Sequence, residues 1–461
     1  MQIDEFAHMF FQMEIKERFF ALRAPNGDPF WDFVRFEIFL SLFDEVNKSD
    51  QLPSVNVNRI PLNPVRKFYG ALSKVSSMAN QWVRLKRIRP ADFAVYVCSR
   101  YNDSDGGAID FASDDAVRTL SQVGSILRIE SQQNLLYDLN INTLIGIASR
   151  VYRPPATYQH YLRDMGNVIA DAARKYFAVE ALHLLEIVRS TYSIQLVQQR
   201  VWREVLDRSR PRLVLMTQNG IQKGLISEAR KRHIPVIECQ HGVINLMHPA
   251  YSYPPDLSAG ETVLVPDALL LFSEYWKHQC RMPGTQMVAV GNNRFTSAGA
   301  RSTRTGPAVF VSAEIFHKFL SPLAVELAQS MPNQAFIMKL HPAQLPDRAK
   351  IETDYRGIPN LAVVGMEKSI RELMADASDV IVVQSTAAYE ALDHGVPVHI
   401  LRKGGYVSHQ DLFSRPDVHL FFTGRELREE LFKPARQHAG GSRFFETFNH
   451  AVFSKFVQGL R

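Results

Sequence analysis

The chain has 461 residues, 46% of them hydrophobic and 22% charged, a composition that suits two globular domains of ordinary size and excludes long disorder. Its formal charge of +6 admits an anionic ligand or an anionic membrane face and specifies neither. No run of 18 apolar residues marks a membrane-spanning helix, and Cys98, Cys239 and Cys280 are too scattered for a disulfide framework or a zinc knuckle.

The opening MQIDEFAHMFFQMEIKERFF carries acidic residues and lacks a signal-peptide layout. With the sparse cysteines, this predicts a reducing, cytoplasmic location. Residues 1 to about 50 mix apolar and charged positions at helical spacing. The aromatic block of Phe30, Trp31, Phe33, Phe36, Ile38 and Phe39 predicts a helix packed on a core. Residues 51–91 contain no acidic residue and interleave Arg59, Arg66, Lys67, Lys74, Arg84, Lys86, Arg87 and Arg89 with Phe68, Tyr69, Leu72 and Trp82. Such a segment suits the surface of an anionic membrane, on the inner face of the cytoplasmic membrane for a cytoplasmic protein, and equally a solvated basic helix. No nucleic-acid motif accompanies it, so nucleic acid is not expected as a partner.

Phe93 to Cys98 (FAVYVC) reads as a strand opening a first Rossmann-like half. The loop behind it holds Asp103, Asp105, Asp110, Asp114 and Asp115. Their spacing does not fit an EF-hand, and they suit turns and helix caps. One of them remains a candidate catalytic carboxylate. Residues 116 to about 208 read as mainly helical, broken at Arg153-Pro154-Pro155. From Pro211 short apolar runs alternate with helical patterns, the signature of buried parallel strands. Strands are expected at Leu213–Met216, Ile234–Cys239, Ala268–Phe272 and Met287–Val290. The second ends in Gln240-His241-Gly242, which sets an imidazole at a strand's carboxyl end, where ligands bind in such sheets. Histidine titrates near neutrality, so His241 is the candidate general base, against the plainer role of a local backbone cap. The long loop from Val243 to Asp267 contains the rings of His248, Tyr251 and Tyr253, and a loop of that length is often functional.

Residues 296–306 (TSAGARSTRTG) have the composition of an interdomain linker. They divide a first domain, residues 1–299, from a second, residues 300–461. The second opens with Ala308–Ser312, whose following loop holds Glu314 and His317. Phe336-Ile337-Met338 runs into Lys339-Leu340-His341-Pro342, Val380–Val383 into Gln384-Ser385-Thr386, and Val396–Leu401 follows. Ser385 and Thr386 stand where a helix begins, so their amides and hydroxyls suit phosphate oxygens, and Lys339 and His341 add cationic donors. Glu390, about one and a half helical turns beyond Ser385, is placed to accept from ribose hydroxyls. The plainer reading is an ordinary cap at Ser385 with a solvated Glu390. Val418–Phe422 is a late strand and Phe444–Val457 a last helix.

The segment SDVIVVQSTAAYEALDHGVPVHIL resembles the donor half of GT-B glycosyltransferases, with its serine-rich turn, Glu and Gly-x-Pro. KLHP resembles the His-Pro motif of bacterial sialyltransferases and capsule Kdo transferases, which use CMP-activated sugars. The resemblance covers roughly Pro211 to Arg402. It implies an α/β GT-B fold, with two Rossmann-like domains whose parallel sheets face a central crevice, extra N-terminal helices, and a last helix packing back on the first domain. It implies a transferase moving a sugar such as Kdo from a nucleotide-sugar donor to a glycan or glycolipid acceptor in surface-polysaccharide assembly, with no metal or other cofactor. The donor would lie on Lys339, His341, Pro342, Gln384, Ser385, Thr386 and Glu390. QHG, YSYPP and the later PD are similar to segments of bacterial surface-polysaccharide transferases. In the related glycerophosphotransferases a His-Gly at the crevice belongs to the catalytic centre, the role carried over to His241.

Three rivals stand beside this reading. A hydrolysing UDP-sugar 2-epimerase has a comparable donor half but carries a His-Arg-Arg-type signature where this chain has Ser312-Ala313-Glu314-Ile315-Phe316-His317. A CDP-polyol phosphotransferase would explain His241-Gly242 but shows an Asp-Tyr-Ser-Ser turn where this chain has Gln384-Ser385-Thr386. The third is a non-catalytic binding protein of the same fold.

Overall fold

A computed structural model of the chain describes residues 3–47, 79–97, 101–102, 108–130, 139–257, 261–295, 306–313, 316–433 and 443–460. The chain forms two units. The first comprises Met1–Leu271, Lys277–Val290 and Asn449–Arg461, and the second Phe272–Trp276 and Gly291–Phe448. The expected linker and the boundary at 299/300 lie outside the described residues, apart from Gly306.

The strands of the first unit are β1 (Phe93–Val97), β2 (Tyr101–Asn102), β3 (Ala108–Ile109), β4 (Ile126–Glu130), β5 (Leu139–Asn140), β6 (Leu213–Met216), β7 (Val236–Cys239), β8 (Ala268–Leu271) and β9 (Gln286–Ala289). β2 and β3 make a small antiparallel pair. The others form one parallel sheet in the order β5-β4-β1-β6-β7-β8-β9. The chain therefore builds outward from β1 in one direction, returns, and builds outward in the other, and the sheet's switch point lies between β1 and β6. β1, β6, β7 and β8 are buried along their whole length, which is why they read as unbroken apolar runs. β4 and β5 fall in the stretch expected to be helical. Ile126–Glu130 puts Arg128 on an exposed position between buried neighbours, so it lacks the apolar run that marks the other strands.

The helices of this unit are α1 (Ile3–Lys16), α2 (Phe30–Val46), α3 (79–86), α4 (Asp114–Ser121), α5 (Ile141–Val151), α6 (Ala156–Phe177), α7 (His183–Ser209) and α8 (Lys223–Arg230). α2 carries the aromatic block and is buried on most of its circumference, at Phe30, Trp31, Asp32, Phe33, Val34, Arg35, Ile38, Phe39 and Leu42. Its Phe39 meets Phe6 and Phe10 of α1 edge-on with centroids 5.0 Å apart. The prolines at 154 and 155 end α5 and start α6. Most of the basic 51–91 segment lies outside the described residues. Within its described part α3 exposes Trp82 and Val83, and Lys86 pairs with Glu204 of α7 at 2.6 Å. No helix among the described residues is long and apolar enough to cross a membrane.

The second unit repeats the plan. β10 (Ala308–Val311), β11 (Phe336–Lys339), β12 (Leu361–Val364), β13 (Asp379–Val382), β14 (Val398–Leu401) and β15 (Val418–Phe421) form a parallel sheet in the order β12-β11-β10-β13-β14-β15. That is the doubly wound dinucleotide-fold order, with the switch point between β10 and β13. Among the described residues its helices are α9 (His317–Ser330), α10 (Arg348–Asp354), α11 (Ile370–Asp376), α12 (Ala387–Asp393) and α13 (Gly424–Leu431). Phe310, Phe336, Leu320, Leu327, Ile381 and Leu427 belong to its apolar core.

The last helix, α14 (His450–Gly459), belongs to the first unit. The Asn449 amide donates to the Val290 carbonyl at 2.6 Å, and His450 meets the Thr119 hydroxyl at 2.8 Å. It starts six residues later than the periodicity predicts (450 against 444), because Asn449 caps it through the Val452 amide. Phe444 and Phe445, expected inside the helix, instead donate their amides to the Asp393 carboxylate.

Candidate functional site

In the first unit the turns after β6 and β7 carry the candidate chemistry. Gln218 adopts the left-handed conformation, φ 64°, and begins a tight turn through Asn219 and Gly220. Asn219 then donates twice to Glu238 of β7, from its backbone amide to Oε1 at 3.1 Å and from its side chain to Oε2 at 2.7 Å. The Tyr251 hydroxyl donates to the same Oε1 at 2.7 Å and lies 3.3 Å from His241 Nδ1. His241, expected at the carboxyl end of this strand, is thus joined to a fully buried carboxylate through a buried phenol. The side-chain Nε2 of Gln240 closes the turn by donating to the Gly242 carbonyl at 3.0 Å.

Beneath lies a network of buried charge. Lys223 donates to Asn219 Oδ1 at 3.0 Å and to the Leu264 carbonyl at 2.7 Å, and reaches the Tyr253 hydroxyl at 3.4 Å. The Tyr253 hydroxyl donates to Asp32 at 3.2 Å. Arg35 pairs with Glu14, holds the carbonyls of Pro249 and Ser252, and lies 4.4 Å over the Tyr253 ring. Burial pushes the carboxyls of Asp32 and Glu238 above their ordinary range and brings the Lys223 amine down to about 8. The middle of the Val243–Asp267 loop is therefore anchored inward. Tyr251, Ser252 and Tyr253 are buried, and α2 holds the loop by its backbone. His248 accepts the Ala250 amide on Nδ1 at 3.2 Å, and burial holds it neutral, down to about 4.

Glu14, Asp32, Arg35, Lys223 and Glu238 were missed by sequence reasoning. Glu238 left a signal, a carboxylate inside the otherwise apolar strand VIEC, which a buried parallel strand does not admit without donors. The others lie too far off in sequence to be associated with it. Of the aspartates behind β1, Asp103 and Asp105 lie outside the described residues. Asp110 is a turn former, accepting the Ala112 amide at 3.0 Å. Burial and the Asp110 carboxylate push the Asp114 carboxyl up to about 6.

In the second unit the loops after β10 and β13 flank the switch point. After β10, Ser312 Oγ and His317 Nδ1 lie 2.9 Å apart; Glu314 lies outside the described residues. After β13, Gln384 is exposed, and Ser385 and Thr386 are half-buried. The Ser385 amide, expected free for phosphate, donates to Nε2 of the buried His409 at 3.0 Å, while its hydroxyl oxygen accepts from Ala387 at 3.2 Å. Burial alone drives His409 down to about 3, so its ring is a neutral acceptor. It lies on the 3-10 segment Gly404–Leu412, its ring 5.3 Å from that of Tyr389. Tyr389 and Tyr275 both donate to the Asp411 carboxylate on that segment. A Cβ at Gly405 would stand 2.1 Å from Gln384 Oε1, so the exposed Gln384 side chain would have to swing aside for it. Glu390 is half-buried. Burial pushes it up to about 7, with the Arg294 guanidinium opposing and the Asp393 carboxylate adding to the rise.

Lys339 and His341 serve the backbone. The buried Lys339 amine donates to the carbonyls of Gly365 and Lys368, which ties the turn after β12 to β11. His341 caps the 3-10 helix Pro342–Asp347, its Nδ1 accepting the Ala343 amide at 3.2 Å and Gln344 completing a reciprocal box. Pro342 is the first residue of that helix. Among the described residues no group of three His, Cys, Asp or Glu is arranged to hold a metal ion.

No family model and no curated protein matches this sequence. Solved structures do. The UDP-GlcNAc 2-epimerase from Methanocaldococcus jannaschii is 11% identical, with 80% of this chain and 99% of that one covered and a TM-score of 0.44. The UDP-GlcNAc 2-epimerase from Neisseria meningitidis bound to UDP-GlcNAc is 12% identical, with 80% and 98% covered and a TM-score of 0.43. A glycotransferase of kitacinnamycin is 12% identical, with 81% and 95% covered and a TM-score of 0.44. The likeness is one of fold, two Rossmann-like α/β units with parallel sheets.

These matches correct the expectation of a CMP-sugar transferase of the Kdo or sialic-acid type in capsule or lipopolysaccharide assembly. UDP-GlcNAc 2-epimerases recur among them. The physical reason is visible in the chain. The His-Pro dipeptide that carried the expectation is a helix cap made by a side chain and a ring of fixed φ, a local role that any nucleotide enzyme, or none, can share.

Proposed function

We propose that the chain is a nucleotide-sugar-modifying enzyme whose second unit holds a UDP-sugar, and that its reaction is of the sugar-epimerase class. The observation that carries the binding reading is Glu390. Its carboxyl sits half-buried five residues beyond Ser385, raised to about 7, on the helix that follows the switch-point strand. A ribose offers two hydroxyl donors to such a group. The hydroxyls of Ser385 and Thr386 remain as donors toward phosphate oxygens, where a charge-assisted bond is worth about 1.5–3 kcal/mol. In the first unit His241, half-buried at the end of β7, supplies an imidazole for proton transfer.

UDP-GlcNAc, named with one of the matching structures, is the first substrate to test. Incubation with the full-length protein is expected to release UDP or invert the sugar at C2, followed by NMR of the products. UDP is expected to raise the melting temperature more than CMP does. Ser385→Ala, Thr386→Ala and Glu390→Gln are each expected to weaken UDP binding by about 10- to 100-fold. Equal stabilisation by CMP, or wild-type affinity in all three variants, overturns the reading.

A further inference from the structure

We propose that Glu238 and Tyr251 are positioning residues for His241: through the Tyr251 hydroxyl, the Glu238 carboxylate fixes the neutral His241 imidazole as the Nδ1–H tautomer and leaves Nε2 as its basic nitrogen. The inference deepens the proton-transfer role given to His241 above, and its geometry lies within the first unit.

A phenol has a single proton to give. The Tyr251 hydroxyl donates to Glu238 Oε1 at 2.7 Å and lies 3.3 Å from His241 Nδ1. Its proton therefore goes to Glu238, and the phenol oxygen presents a lone pair to Nδ1. An imidazole meets that lone pair favourably only with hydrogen on Nδ1, and a neutral ring then has none on Nε2.

Three further observations fix the carboxylate end. Asn219 donates to both Glu238 oxygens, so the carboxylate is oriented by three donors in all. Lys223, bonded to Asn219 Oδ1 at 3.0 Å, keeps that amide turned with its NH2 group toward Glu238. His248 is the other ring against Tyr251, with centroids 4.9 Å apart, but its Nδ1 is occupied by the Ala250 amide. The 3.3 Å contact is long for an N–H donor, as such bonds often are before a substrate tightens them. This is the arrangement by which a carboxylate sets the tautomer of a histidine base, here with a phenol interposed.

The test is long-range proton–nitrogen NMR on full-length protein labelled at histidine, at a pH where His241 is neutral. Its signals are assigned by their loss in His241→Gln. Two other residues supply references. His248 accepts on Nδ1 and must show the Nε2–H pattern, while His409 accepts on Nε2 and must show Nδ1–H. Wild-type His241 is expected to match His409. Tyr251→Phe, which keeps the ring and removes the hydroxyl, is expected to move it to the His248 pattern, and Glu238→Gln to do the same if it folds. Nε2–H in the wild type, or Nδ1–H retained in a folded Tyr251→Phe, overturns the proposal. With UDP-GlcNAc as substrate, Tyr251→Phe is also expected to lower kcat about 10- to 100-fold, to displace the acid limb of the rate–pH profile, and to leave KM unchanged. If the wild type turns over no UDP-GlcNAc, the epimerase reading fails while the tautomer result stands or falls by itself.

Discussion

If Glu390 holds the ribose as proposed, it does so at the expense of stability. With its folded-state value near 7 against an ordinary 4.5, the folded protein keeps a proton that the unfolded chain has lost between those two pH values. Its contribution to stability is therefore largest below about pH 4.5 and declines as pH rises toward 7, by roughly 2–3 kcal/mol in all. Glu390→Gln removes the decline. In urea melts the variant is expected to match wild type near pH 4.5 and exceed it at pH 8, while binding UDP less well. A wild-type stability profile that is flat relative to the variant's would show that Glu390 is solvated. The placement of Ser385 and Thr386 on the turn before a helix, and of Glu390 on that helix, was legible in the sequence, because a serine-rich turn and a carboxylate at fixed helical spacing follow from local structure. Lys339 and His341 were legible as residues at a strand end but not in what they touch. Residue type marks a donor or acceptor, and only the folded backbone shows that the nearest partners are the carbonyls of Gly365 and Lys368 and the amide of Ala343.

The segment Gly404–Leu412 has no strong pattern of its own, yet it fixes the turn that sequence analysis singled out. His409 is its means, a fully buried ring that accepts the Ser385 amide. Its folded-state value of about 3 lies below the ordinary 6.5, so its contribution to stability is complete above about pH 6.5 and is lost as pH falls toward 3. His409→Phe keeps a ring against Tyr389 and leaves the Ser385 amide unpaired. At pH 7.5 it is expected to cost about 1–3 kcal/mol by denaturant melt. At pH 4.5 the gap narrows or reverses, since wild type alone suffers the penalty of a buried histidine. A gap that widens with acid would mean that His409 is charged. The same limit on sequence reading applies to strands. β6, β7, β8, β10, β13 and β14 were found because burial on both faces writes an apolar run. β4 and β5 were not, because Arg128 and the brevity of Leu139–Asn140 erase that run. The start of α14 was misplaced where a capping asparagine overrides periodicity.

Neither unit is a continuous stretch of chain. The second borrows Phe272–Trp276 from the middle of the first, and Trp276 is fully buried there, its indole N–H donating to the Phe444 carbonyl at 2.7 Å and its ring against Tyr389 at 4.9 Å. A fragment of residues 291–448 retains all six strands but lacks this anchor. It is expected to unfold at lower urea than the same unit in the full chain, followed by hydrogen exchange of β13 and β14, since truncating a buried tryptophan typically costs about 3–5 kcal/mol. Equal protection in the fragment would show the indole to be dispensable. The nesting also has a consequence for how the protein is made and broken. On the ribosome residues 272–448 emerge before 449–460, so every segment of the second unit is available while the first still awaits α14, which closes on Thr119 and Val290. A nonsense codon near position 449 would thus spare the later-encoded unit and injure the earlier one, and an affinity tag fused beyond α14 would load the first unit rather than the second.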